Sequence, residues 1–517
     1  MIFTKWSDFK KTLKINNYMK NPTTPTYLYV ISQNIMSSSE KTMVATLQGL
    51  ISNQSVNQIY TLNNAQPDYQ IWLDDLVNSY GIAYEIISDP FRLLDIFKDY
   101  IEGYVLYNNS SLKDPSINNA CSLAALNNCI AVDEDIQDKV RLYGITKIKG
   151  DCRNTDEKWA YDHLWNSGLN HSILIQLSPS KVSSLRDYGI MTKSLIFYED
   201  KINDTSLREK IFSSMEKDSI CLGWGPDEFI NISTFSKYGI SMVAADWSYN
   251  LTVLSAFPSL PMTQRAITNT ESKENVHNVT FIISDGDNQQ WNLGTQYGSN
   301  KWYGSPYKGK FNLGWSLSPS LYYLAPTVFR LYYESAAYGL TNDYFIVPPS
   351  GTGYMFPSKF PRNALDIYIN RLNDYMTKVD EKYVSIIDYY SLHNIKLWDT
   401  FTNKDNINGL FYLDYDKHDN YNGEIIWSNN KPIVACRDLL WDSLENEDEL
   451  VEIINKRTSS GQVNICNSNS YTFVYVHAWS KNLSNVERVV TKLKENPKVA
   501  IVTPETFMYL INKNVKH

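Results

Sequence analysis

The sequence predicts a multidomain α/β protein: two small α/β domains over residues 1–100 and 101–265, then a C-terminal (β/α) TIM-like barrel over residues 272–517, irregular or incomplete in places. Three observations carry this reading. The 517 residues exceed the roughly 250–300 over which a single hydrophobic core usually grows. Short apolar runs alternate with segments long enough to hold a helix, which implies parallel strands joined by crossovers. From residue 280 onward, eight such runs each end in a polar or aromatic group, and chains of about 250 residues with this alternation commonly close as barrels with their chemistry at the strand C-termini.

In chain order, residues 26–32 and 58–62 read as strands around a helix over 39–52, whose Val44, Leu47, Leu50 and Ile51 share one face. The second domain shows apolar runs at 103–107, 129–132, 172–177, 194–198, 220–223 and 240–245. Its polar landmarks are Asp151, Gly223-Trp-Gly225, Glu228, Asp246-Trp247 and Arg186-Asp187, the last read as a charge pair on a helix surface. Residues 258–278 have linker composition, which places a boundary near Ser272. The barrel strands are expected at 280–287, 312–318, 344–349, 384–388, 409–414, 432–437, 471–477 and 499–505, with helices at 321–339, 360–378 and 483–495. No amphipathic helix is visible between Asp414 and Pro432, so a hairpin is expected to replace one crossover there.

Composition narrows the function classes. A net charge of −8 leaves no basic footprint for nucleic acid, and no run approaches the roughly 18 apolar residues of a membrane helix. The opening Met1-Ile-Phe-Thr-Lys-Trp-Ser-Asp lacks the layout of a signal peptide. A cytoplasmic protein is therefore expected, or a secreted one whose signal has been cut away. Six cysteines without C-x-x-C spacing read as thiols. Aromatic residues reach 13%, and amphipathic rings suit a sugar cleft, where a pyranose face stacks on the ring and a hydroxyl or indole N–H takes a hydrogen bond.

The run over 279–283 ends in Ser284-Asp-Gly-Asp-Asn288. A turn alone accounts for those residue types, but recurrence of polar strand ends along the domain argues for a site. Glycoside hydrolysis needs one carboxylic acid and one carboxylate, separated by roughly 5–10 Å. Asp285 and Asp287 stand too near each other in the chain, so Asp287 is paired with Asp414, while Asp285 orients a partner or holds Arg437. His477, delivered by a β-branched run and followed by Trp479, is a base or binding candidate. Gly351-Thr-Gly353 reads as a tight turn that presents Tyr354 and Phe356 as a platform. Asn288, Trp291, Trp315, Asp388, Arg437, Trp479 and Glu505 complete the binding candidates. No cofactor and no metal site are read. Asp285, Asp287, Tyr354, Asp388, Asp414, Arg437, His477 and Glu505 are expected to converge on one mouth.

Several of these segments together resemble the GxGYxYP family of putative bacterial glycoside hydrolases. They are Ser284-Asp-Gly-Asp-Asn288, Gly314-Trp-Ser-Leu-Ser-Pro319, Gly351-Thr-Gly-Tyr-Met-Phe-Pro357, Pro432-Ile-Val-Ala-Cys-Arg437, Val476-His-Ala-Trp-Ser480 and Val502-Thr-Pro-Glu505. Thr46-Leu-Gln-Gly49 and Leu185-Arg-Asp-Tyr188 resemble the family's amino-terminal domains in the expected order. Phe356 stands where the family pattern has tyrosine. The resemblance implies a carbohydrate-active enzyme with a catalytic C-terminal domain. Two alternatives use the same residue types: a metal-dependent carbohydrate deacetylase, although H-x-x-x-H spacing is missing, and a non-catalytic carbohydrate-binding protein.

Overall fold

The structure is a computed structural model that describes residues 22–459 and 463–516. Residues 1–8, read above for a signal, lie outside the described residues. No helix among the described residues is long and apolar enough to cross a membrane.

The N-terminal half contains three separate parallel sheets. The first joins β1 (Tyr27–Ser32), β2 (Asn57–Leu62) and β3 (Ala83–Ile87) in the order β2-β1-β3. The second joins β4 (Tyr104–Tyr107), β5 (Ile130–Asp133) and β6 (Ile148–Asp151) in the order β5-β4-β6. The third joins β7 (Asn170–Gln176), β8 (Ser194–Phe197), β9 (Ile220–Gly223) and β10 (Ser241–Ala244) in the order β10-β9-β7-β8. β3 and β6 are edge strands with mostly exposed or half-exposed side chains, and so lack the apolar run that marks a buried strand.

The helix Ser38–Ile51 starts on a capping box between Ser37 and Glu40. It packs on the helix Arg186–Thr192 so closely that a Cβ on Gly49 would lie 2.3 Å from the Asp187 carbonyl oxygen. Arg186 and Asp187 are consequently buried, not a surface pair. Arg186 donates to Asn118 and to the Lys181 carbonyl, and Asp187 accepts from the Thr252 amide and hydroxyl.

The C-terminal strands are β11 (His277–Ile283), β12 (Leu313–Ser316), β13 (Asp343–Ile346), β14 (Tyr383–Asp388), β15 (Gly409–Asp414), β16 (Ile425–Ser428), β17 (Lys431–Ala435), β18 (Asp438–Leu440), β19 (Tyr471–Val476) and β20 (Val499–Ile501). They form two open sheets and not the closed barrel expected from the alternation. One runs β13-β12-β11-β19-β18 with β20 added on β11, and the other β14-β15-β17-β16. Only sparse bonding joins them. A lone parallel bridge ties Val347 to Val384, and between β17 and β18 the Cys436 and Arg437 amides donate to Tyr412 on β15 and Phe473 on β19 respectively. β16 runs antiparallel to β17, a hairpin in place of a crossover helix. All six cysteines are free thiols.

Candidate active site

The C-terminal ends of β11 and β19 open into a cleft of about 510 Å³. At the end of β11 the chain turns sharply. Asp285 takes φ +64, a left-handed conformation uncommon for a residue with a Cβ, and Gly286 approaches so near that a Cβ there would lie 1.9 Å from the Ser316 carbonyl oxygen. The turn aims Asp285 and Asp287 into the cleft. Strained backbone of this kind persists where the surroundings hold it, here through the Gly286 amide donating to Ser316 Oγ at 3.0 Å.

Asp285 is gripped by donors: the Ser284 hydroxyl, the Trp479 indole N–H at 2.8 Å and the Asn288 amide at 3.5 Å. Burial outweighs them and lifts its carboxyl to about 6. For Asp287 the opposing help comes from its own backbone amide, and burial, with the neighbouring Asp285 charge and Glu228 adding to it, pushes its carboxyl well above the usual range. Both carboxyls still reach solvent on the cleft side, so enclosure by protein on the remaining sides drives these shifts.

A third carboxyl comes from the N-terminal half. β10 pairs with the Gly351-Thr-Gly-Tyr354 segment through two hydrogen bonds between Met242 and Tyr354, of 3.0 and 2.7 Å. The two glycines have separate reasons. Gly351 sits at φ +145 against the Tyr368 hydroxyl, and a Cβ on Gly353 would lie 2.8 Å from Ser241 Oγ and 3.0 Å from the Met242 carbonyl oxygen. This seam brings the Tyr354 hydroxyl 2.9 Å from Glu228 on the helix Glu228–Lys237, and Glu228 lines the cleft with its carboxyl raised by burial. Phe356 is buried against Phe229, Tyr354 and Tyr415, behind the cleft wall.

His477 lines the cleft stacked on Trp441, with ring centres 3.6 Å apart and planes 3° from parallel, and its Nδ1 pairs with Ser480 Oγ at 2.8 Å. Burial, reinforced by His418, lowers its pKa to about 4, so the imidazole is neutral at physiological pH. Trp224, Tyr354, Tyr415, Trp441, Tyr475 and Trp479 supply the aromatic lining.

Of the residues predicted from sequence, Asp285, Asp287, Asn288, Tyr354, His477 and Trp479 meet in this cleft. Trp291 lies behind Trp479 at a ring distance of 5.1 Å. Trp315 is buried with its indole N–H on Asp343. Asp388 is turned inward, where it accepts from the Ser358 amide and hydroxyl and the Ser391 hydroxyl and so pins the segment after Phe356. Asp414 is fully buried at the end of β15, accepting from the Tyr390 and Asp416 amides. It holds the loop that carries Tyr415 and His418 into the cleft without reaching it. Arg437 donates to the carbonyls of Asn422, Asn469 and Tyr471, not to Asp285. Glu505 accepts from the Tyr344 hydroxyl and sits near Lys382, just ahead of β14. β20 is three residues long and pairs only with the first half of β11, so its end never reaches the mouth. Trp224, Glu228, Tyr415, His418, Trp441 and Tyr475 were missed as site residues. For Trp224 and Glu228 the signal was present, an apolar run at 220–223 ending in polar and aromatic groups as the later strands do.

Four family models match this chain in order. They are the GxGYxYP first domain over residues 27–99, the second over 101–169, the third over 171–256, and the "GxGYxYP putative glycoside hydrolase C-terminal domain" over 275–512. The chain belongs to the GxGYxYP family. A crystal structure of a "putative hydrolase" from Bacteroides thetaiotaomicron VPI-5482 superposes with a TM-score of 0.89 at 33% identity, covering 98% of each chain. No curated protein matches. The motif behind the family's name is thus the segment that pairs with β10 and carries Tyr354 to Glu228. Among the described residues no group of three His, Cys, Asp or Glu side chains is placed to hold a metal ion.

Proposed function

We propose that the cleft hydrolyses a glycosidic bond, with Asp287 as the general acid and Glu228 as the carboxylate that attacks the anomeric carbon or activates water. One observation carries this reading: two carboxyls from different domains face one aromatic-lined cleft, close enough for each other's charge to matter. The roles divide by environment. Asp287, desolvated and beside Asp285, has its carboxyl pushed well above the usual range, which favours the protonated form that delivers a proton to the leaving oxygen. Glu228 accepts a hydrogen bond from Tyr354, which favours its ionised form and orients it. Asp285 has its oxygens engaged by Ser284, Trp479 and Asn288 and serves as a positioning residue for the loop. Neutral His477 and the rings around it bind sugar hydroxyls and faces. This assignment replaces Asp414 with Glu228 as the partner of Asp287.

The test is a screen of the purified chain against chromogenic aryl glycosides and acetylated sugars, with and without EDTA, beside Asp287→Asn and Glu228→Gln. The expected result is EDTA-insensitive release of aglycone, reduced at least about a thousandfold in both variants. Full activity in either variant would remove that residue's role. Release of acetate that EDTA abolishes would favour the deacetylase, and binding without turnover the non-catalytic reading.

A further inference from the structure

We infer that the cleft receives an uncharged glycan chain which continues past the reacting carboxyls onto the open face of Trp247. This rests on the glycosidic reading above and specifies its substrate class. Among the described residues only two indoles are well exposed, Trp479 at 54% and Trp247 at 47%. Single exposed apolar side chains are ordinary, but these two attach to the two ends of one catalytic segment. The Trp479 indole donates to Asp285, and the Trp247 amide donates to Oε1 of Gln290, a residue that lines the cleft, at 3.3 Å. Trp479 already lines the cleft, so Trp247 marks the direction in which a bound chain would leave it.

Trp247 is also held as a platform would be. Lys181 Nζ lies 3.1 Å from the centre of its ring and pairs with Asp246 at 3.4 Å. The flanking backbone is tied down on both sides, by Ser184 Oγ on the Asp246 carbonyl at 2.7 Å and by the Leu185 amide on the Ser248 carbonyl at 3.0 Å. The ring is therefore fixed in orientation, with the ammonium over one face, and it loses little freedom when a sugar stacks on the other.

The charge of the ligand follows from the lining. Asp285, Asp287 and Glu228 face the cleft, and among the described residues no Lys or Arg lines it. A uronate, sulfate or sialate beside the reacting carboxyls would meet like charge with no cation among the lining residues to offset the loss of its hydration, and the Lys181 ammonium farther out at Trp247 is already paired with Asp246.

The experiment is a glycan array followed by calorimetry on the full-length chain, carried out in the Asp287→Asn background so that bound glycan is not consumed. The probes are uncharged oligosaccharides of two to six units and sulfated, sialylated and uronate-bearing chains of similar length. Binding to uncharged chains of four or more units is expected. Trp247→Ala should weaken it about tenfold, the scale of one aromatic stacking contact, without changing binding of the disaccharides, and Trp247→Phe should restore most of it. Preferred binding of the anionic chains, or equal affinity of Trp247→Ala at every length, would overturn the inference and leave the glycosidic reading standing. Absence of binding to any glycan would overturn both.

Discussion

Replacing Asp285 by Asn exchanges a carboxyl for an amide of the same size at a backbone position, φ +64, that asparagine tolerates well. Burial lifts the Asp285 carboxyl from 3.8 to about 6. A shift of about two units corresponds to about 3 kcal/mol, and the open cleft side screens part of it, which leaves about 1–3 kcal/mol. The folded-state pKa is above the unfolded one. The stabilising contribution is therefore complete below about pH 4 and is lost as pH rises through about 6. Asn carries no such dependence. Thermal unfolding of wild type and Asp285→Asn at pH 4, 5.5 and 7.5 should show the variant equal to or slightly below wild type at pH 4, where a hydrogen bond is weakened, and above it at pH 7.5. A difference that does not change with pH, or a variant less stable at pH 7.5 than at pH 4 relative to wild type, would refute the claim that the fold holds this carboxyl against its charge.

Gly353→Ala places a methyl group 2.8 Å from Ser241 Oγ and 3.0 Å from the Met242 carbonyl oxygen. It should part β10 from Tyr354 and lower kcat at least about tenfold while the melting temperature falls by only a few degrees, as enzyme assays and calorimetry would show. Asp388→Ala removes the acceptor for Ser358 and Ser391 in a buried setting and should cost about 2–4 kcal/mol in denaturant unfolding. Asp414→Asn, in contrast, should leave turnover within about tenfold of wild type, since Asp414 supports the Tyr415–His418 loop from behind; a loss as deep as that of Asp287→Asn would return it to the reacting pair. The neutral state of His477 adds stability that is complete above about pH 6.5 and is lost as pH falls through about 4. An NMR titration of its ring that gave a value near 6.5 would contradict the burial described for it.

The C-terminal strands were legible because their β-branched and aromatic runs stop at polar residues, and the cleft-lining segment at 284–288 stood out for the same reason. β3 and β6 escaped because their side chains are largely exposed. Closure of the barrel was over-read from alternation, which reports crossovers but says nothing about whether the last strand is long enough to seal the ring. β20, with three residues, pairs half-way along β11, and that short reach also takes Glu505 away from the mouth. Asp414 and Asp388 end strands as a catalytic residue would, yet they point into the protein, a distinction that depends on which neighbouring loops offer amides and hydroxyls. Glu228 could not be paired with Asp287 from sequence, since nothing in the spacing of two domains tells how they dock.

That docking has a consequence for how such a protein can be inherited. Half of the proposed reacting pair sits in the third sheet's domain, and two hydrogen bonds between Met242 and Tyr354 align it with the other half. A gene fragment encoding the C-terminal domain alone would carry Asp287 and the glycine motif but lack Glu228 and Trp224. Recombination between relatives at the segment over residues 258–276, ahead of β11, would join halves whose seam had never been selected together. Gly353 leaves no room for a side chain against Ser241 and Met242 across that seam, so neither half can drift without the other. Lineages of this architecture should therefore pass on the third and fourth domains as one indivisible unit.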